Sequence, residues 1–203
     1  MTTASTATGN GDSSNRRAQE QPEAGKVGDA NIGLASRERD GSIRAMNVAL
    51  ANASLLTIKT KKFHWDVVGP QFMTLHKLLD EQYATLSIYA DEIAERIRML
   101  GGYPIGTAQG FLKSAELKEY PGEIPDATEA VRYLLADHEA IARSLRGAVA
   151  LCASEFNDAG TADFFTRMLQ SHEKMAWMLR SFLIGSAVKG SGEATHGRVP
   201  GNA

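Results

Sequence analysis

From Gly41 onward the apolar positions of this chain recur at three- and four-residue intervals. Ile43, Met46, Leu50, Ala53, Leu55 and Ile58 mark the buried face of a helix over roughly 42–67, with no proline until Pro70. Gly69-Pro70 breaks the chain and restarts it, because proline suits a first helical turn. A second stripe follows: Phe72, Leu75, Leu79, Tyr83, Leu86, Ala90, Ile93, Ile97 and Leu100. It is the strongest periodic signal in the chain, and Gly101-Gly102 and Pro104 end it. Residues 103–125 contain three prolines and read as a crossover loop, within which Gly110 to Lys118 could form a short helix. Asp126 with Glu129 has capping-box spacing and opens a third stripe, Val131, Leu134, His138, Ile141, Leu145, Val149, Cys152 and Phe156. A fourth helix starts near Thr161 and turns Phe165, Met168, His172, Met175, Leu179 and Leu183 inward before Gly185. No segment alternates as a strand does.

Two short-turned hairpins joined by one long crossover describe an all-α, ferritin-like four-helix bundle, the crossover carrying the short helix between the second and third long helices. The bundle should occupy residues 41–185. Residues 1–40 are rich in Gly, Ser, Thr, Ala and Asn with almost no large apolar side chain, so they read as a flexible arm, and the Gly-rich residues 186–203 read as a flexible tail. The 203 residues, 43% hydrophobic, suffice for one well-buried core. A net charge of −2 provides no field to hold a polyanion or an anionic membrane. The single cysteine cannot form an internal disulfide and sits among apolar residues, and neither a signal peptide nor a membrane-spanning run is visible. A cytoplasmic protein with no membrane partner is expected.

The candidate chemistry lies around the first turn, in "KKFHWDVVGPQFMTLHKLLDEQ". His76 and Asp80 are spaced i, i+4, as are Asp91 and Glu95, so each pair shares a helix face with side chains about 5–6 Å apart. His64 and His76 flank Gly69-Pro70 symmetrically, and an antiparallel hairpin would bring them level, so that His64, His76 and Asp80 converge. Asp80 and Asp91 are separated by close to three turns, roughly 16 Å along the axis, so one chain cannot bring both pairs to one ion. Two copies of the second helix packed antiparallel about a two-fold axis near position 85.5 could, and Ala84 and Ser87 on that face are small enough for close approach. Two imidazoles and three carboxylates suit iron(II) or manganese and would also accept zinc. His138 and His172 lie within apolar stripes and read as hydrogen-bonded core residues. No Glu-x-x-His pair falls on an expected helix, which argues against a di-iron site inside a single bundle.

These residues, with "YADEIAERIRMLGG" after them, resemble the Dps family of bacterial mini-ferritins over roughly 42–185. The resemblance implies a dodecameric homo-oligomer with a ferroxidase centre at each two-fold axis. It also implies oxidation of iron(II) to iron(III), preferably by hydrogen peroxide, and a ferric mineral stored inside, protecting against oxidative damage. His64, His76 and Asp80 match the ligands from one subunit, and Asp91 and Glu95 those from its partner. Trp65 matches an aromatic beside the centre, Asp158 and Asp163 the acidic lining of three-fold pores, and Glu81 a cavity carboxylate for mineral nucleation. Many members bind DNA through a lysine-rich arm. Residues 1–40 instead carry five basic against six acidic side chains, which argues against DNA binding. The rivals to a ferroxidase are a nucleoid DNA-binding protein and a zinc-holding structural assembly.

Overall fold

The structure, a computed structural model, describes residues 30–185 except Pro121 and Glu123; most of the expected arm and all of the expected tail lie outside the described residues. Five helices follow one another: α1 (Ser36–Asp66), α2 (Phe72–Met99), α3 (Ala108–Ser114), α4 (Ala127–Ser154) and α5 (Ala159–Gly185). There is no strand among the described residues. α1 pairs with α2 and α4 with α5 as antiparallel hairpins, and the short α3 rides on α1 in the crossover. The four long helices close around Ile43, Met46, Leu56, Phe63, Leu86, Ile93, Ile97, Leu134 and Phe165, all buried. Burying each such side chain stabilises the bundle by about 1.5–3 kcal/mol.

α1 begins at Ser36 rather than near 42, so residues 36–40, expected in the flexible arm, are helical. The Glu38 carboxylate accepts the Ala35 N–H at 2.7 Å, and the buried Arg39 guanidinium donates to the Ala30 and Leu34 carbonyls at 2.6 and 3.0 Å. Gly41, which reads as a boundary, is an interior helix position. A Cβ there would lie 2.4 Å from the Phe156 ring, so glycine is what lets the end of α4 close on α1.

Turns end the helices where the sequence places them. Gly101, at φ +86°, follows α2; its N–H bonds the Arg98 carbonyl and the Gly102 N–H bonds that of Ile97, the double bond of a Schellman motif. Asp126 caps α4 by accepting the Glu129 N–H at 2.8 Å.

Periodicity alone does not reveal what fastens the crossover. Asn47 Oδ1 accepts the Ile105 N–H at 2.9 Å, and Asn52 Oδ1 accepts those of Glu116 and Leu117 at 2.8 and 3.2 Å. Lys59 Nζ donates to the Lys118 carbonyl and to Asp137, each at 2.7 Å, tying crossover and α4 to α1. These buried side chains of α1 answer backbone groups that helix and sheet ladders leave unpaired.

In the core, His138 of α4 and His172 of α5 are both fully buried, and their Nδ1 atoms are 2.9 Å apart in a mutual hydrogen bond. The expectation of hydrogen-bonded core histidines matches this placement. Burial, and for His138 also its histidine neighbour, drives both below the usual imidazole pKa, His172 to about 4.

Two outcomes are expected. Asn52→Ala strands two backbone N–H groups and should cost about 2–3 kcal/mol in denaturant unfolding, whereas Asp163→Asn on the exposed face of α5 should stay within about 0.5 kcal/mol. For the core pair, both folded pKa values lie below the unfolded value of 6.5, so the unfolded chain takes up protons first as pH falls. Stability is undiminished above that value and declines from about pH 6.5 toward 4, by up to roughly 1.4 kcal/mol per pH unit for each histidine. A His138→Leu/His172→Leu variant should show a flatter stability profile across this window; an unchanged slope would remove the pair as its source.

Candidate metal centre

The α1–α2 hairpin builds the candidate site. Gly69, at φ +105°, turns the chain in a conformation that glycine alone adopts without strain, and it returns α2 antiparallel to α1. His64, in the last turn of α1, then faces His76, in the second turn of α2. Their rings stack with centroids 3.7 Å apart and planes 20° apart. The two are locked reciprocally: Nδ1 of each imidazole is 2.9 Å from the backbone carbonyl oxygen of the other. A carbonyl only accepts, so Nδ1 carries the hydrogen in both rings, and in a neutral ring the lone pair is then on Nε2. Metal-binding histidines are commonly fixed in this way, by a bond from the ring nitrogen that does not ligate.

Rings extend the stack on both sides. Phe72 packs on His76 at 5.0 Å and Tyr83 meets His64 edge-on at 5.3 Å. The Lys61 ammonium lies 5.8 Å above the Trp65 ring and 5.2 Å above that of Tyr83. Sequence periodicity assigns Phe72 and Tyr83 only to the buried stripe. The signal that marks Tyr83 is its position one turn beyond Asp80 and two beyond His76, on the same face.

The expected convergence is reached by the histidines but not by Asp80. Asp80 follows His76 by one turn and is exposed; it engages the Tyr83 hydroxyl, and that bond, with burial and the carboxylate charge, holds the phenol above its ordinary pKa. Asp91 and Glu95 lie further along α2, exposed, with the exposed Ala84 and Ser87 between. Among the described residues, no three His, Cys, Asp or Glu of one chain gather closely enough to hold a metal ion. The chemistry of the donors nevertheless fits iron: two imidazoles held through Nδ1, and carboxylates on the same open face. Trp65, next to His64, is 64% exposed on that surface.

The two aspartates at the start of α5 separate. Asp158 is 2% exposed: it caps α5 by accepting the Thr161 N–H at 2.9 Å and its hydroxyl at 2.6 Å, and Arg96 pairs with it at 3.0 Å. Burial raises its carboxyl pKa, but the Thr161 bonds and the Arg96 charge outweigh that and leave it below the usual value. Asp163 is exposed and lies 3.7 Å from Arg167 one turn on. Glu81 is exposed on α2, beside a groove lined by Lys77, Trp177 and Phe182.

A Ferritin-like domain family model matches residues 43–184. The low temperature-induced protein of Nostoc sp. (strain PCC 7120) is 51% identical over 172 residues, covering 84% of this chain and 96% of its own. DNA protection during starvation protein 2 of Bacillus anthracis is 36% identical over 142 residues, covering 70% and 95%. Among solved structures, the DPS protein from Vibrio cholerae O1, described as a member of a broad superfamily of ferritin-like diiron-carboxylate proteins, matches with TM-score 0.71 and 31% identity over 75% of this chain and 95% of that one. All-helical architecture and the short crossover helix agree with these likenesses, and the chain belongs to the Dps branch of the ferritin-like proteins.

Proposed function

We propose that the chain is a ferroxidase subunit of an iron-storing, dodecameric mini-ferritin, and that each oxidation site is shared by two chains about a two-fold axis. The observation that carries this reading is the locked pair His64–His76, with no third ligand assembled beside it among the described residues. The missing donors stand exposed on α2. Asp91 and Glu95 follow Asp80 by about 16 Å or more of rigid helix, too far for the same ion but within reach of a second copy packed antiparallel.

In that arrangement His64, His76 and Asp80 of one chain and Asp91 and Glu95 of the next receive iron(II) as substrate. Hydrogen peroxide is the oxidant of this reading: two iron(II) ions each give one electron, the O–O bond breaks, and both oxygens leave as water or hydroxide. The chain's own residues fix the geometry, since the reciprocal imidazole–carbonyl bonds hold both Nε2 atoms in place before iron arrives. Iron(III) then moves to cavity carboxylates such as Glu81. Exposed Trp65 stands where it can donate to a stray oxidising equivalent before that species escapes. Asp163 remains the candidate for an acidic iron-entry path, and Asp158 is withdrawn from it by its cap and its arginine. Protection comes from removing iron(II) and peroxide together in the cytoplasm. Coating DNA is not needed for it, and a chain of net charge −2 offers little counterion release.

Mixed assemblies test the shared site. A variant lacking His64, His76 and Asp80 and one lacking Asp91 and Glu95 should each oxidise iron at least ~100-fold more slowly than the native shell, the usual penalty for losing binding geometry. Co-assembled, they should recover activity through the one complete site in each mixed pair. Mixed dimers verified by mass spectrometry that stay inactive would sink the inter-subunit reading, and zinc retained without iron turnover would favour the structural rival. For entry, Asp163→Asn should slow uptake at low iron with no loss of stability. Asp158→Asn should instead lower the unfolding midpoint by breaking the Arg96 pair. The reverse pattern would remove Asp163 from the path.

A further inference from the structure

One side chain, Tyr83, touches a candidate ligand from each helix of the α1–α2 hairpin. Its ring stands edge-on to the His64 imidazole with centroids 5.3 Å apart, so it reaches from α2 across to the end of α1. The Lys61 ammonium lies 5.2 Å from the ring centre, over one face. At its tip the hydroxyl engages Asp80, one turn back on the same helix. Packing against an imidazole needs only a ring, which Phe72 supplies on the other side of the histidine stack. The hydroxyl of Tyr83 is therefore an addition that packing does not explain.

The chemistry of that tip follows from the two groups. A phenol keeps its hydrogen at neutral pH and a carboxylate only accepts, so Tyr83 Oη donates and Asp80 receives. One phenol hydrogen occupies one carboxylate oxygen and leaves the other uncommitted. Asp80 is exposed, and an exposed aspartate samples several rotamers; a donor that must first be ordered binds less well than one already held. His64 and His76 are held by each other's backbone carbonyls. Asp80 has no such lock, and the phenol, itself wedged between His64 and Lys61, is what restrains it.

We propose that Tyr83 is the positioning residue for Asp80: its hydroxyl holds one carboxylate oxygen and leaves the other to meet iron(II) beside His64 and His76. The inference rests on the ligand set of the ferroxidase reading and adds the residue that orders its aspartate. Tyr83 does not touch the ion. It acts through Asp80, and its edge contact ties the place of the aspartate to that of the His64 ring. In the single chain Asp80 has not joined the histidines, and the bond to Tyr83 keeps one oxygen open for that step. Carboxylates that ligate metals are commonly supported by such a hydrogen bond from behind.

The test uses the assembled full-length chain and Tyr83→Phe, which keeps the ring against His64 and Lys61 and removes only the hydroxyl. Cobalt(II), whose visible absorption reports its ligands, is titrated without oxygen as a stand-in for iron(II), and initial rates with hydrogen peroxide are followed against iron(II) concentration. Tyr83→Phe should bind cobalt(II) about tenfold more weakly, the scale of loss when a group supporting a metal ligand is removed. The iron(II) concentration for half-maximal rate should rise by a similar factor, with the maximal rate within about twofold and the helical circular dichroism unchanged. With Asp80→Ala already in place, Tyr83→Phe should add no further loss, because the hydroxyl then has nothing to hold. Cobalt(II) affinity that is unchanged or tightened by Tyr83→Phe, or weakened equally in the Asp80→Ala background, would overturn the assignment. A native assembly whose cobalt(II) binding depends on Tyr83 in the expected way but which oxidises no iron(II) would sink the ferroxidase reading and uphold the role of Tyr83.

Discussion

Two short contacts, each from an imidazole Nδ1 to the other histidine's carbonyl, join the end of α1 to the start of α2. They answer the physical problem of a helix terminus. The last carbonyls of α1 have no intrahelical partner, and the His76 ring supplies a donor to one of them. The same bond fixes the tautomer of His76, and its mirror image fixes that of His64. A requirement of folding and a requirement of metal binding are met by one interaction. The stacked rings also set how closely α2 approaches α1, and so where the exposed strip of α2 faces.

From that constraint the rest of the bundle is arranged largely through α1. Its inward face packs on α2, while Asn47, Asn52 and Lys59 reach out to hold the crossover and α4. Buried polar side chains on a helix are unfavourable until each finds its partner, and here every one of these three is matched to a backbone carbonyl, a backbone N–H or a carboxylate. The crossover follows a fixed path as a result, leaving the α2 surface around Ala84 and Ser87 uncovered.

The long helices were legible because one face of each repeats at the helical period, and the turns because Gly69 and Gly101 occupy backbone conformations that other residues avoid. Gly41 misled for the opposite reason: its role is close packing against Phe156 within a helix, and a glycine in a polar neighbourhood looks the same whether it ends a helix or admits a ring. Asp158 shows a second limit. Its sequence position fits capping and pore lining equally, and the approach of Arg96, distant in sequence, is not visible in the helical pattern. The pairing of His64 with His76 followed from symmetry about the turn, but the orientation of Asp80 did not. Its carboxylate has a choice between the histidines and Tyr83, which helix spacing cannot resolve.

The two histidine pairs show how environment alone assigns different chemistry to the same side chain. At the rim, each ring spends a hydrogen on a carbonyl, both Nε2 lone pairs are available, and carboxylates stand nearby on an open face. That combination lowers the cost of bringing in a doubly charged ion. In the core, the rings spend their bond on each other, and burial suppresses any positive charge. Moved to the core, the rim imidazoles would lose contact with water, and moved to the rim, the core pair would gain it. The same side chain is thus turned outward with a backbone partner in one place and closed on its own kind in the other, according to where the fold places it.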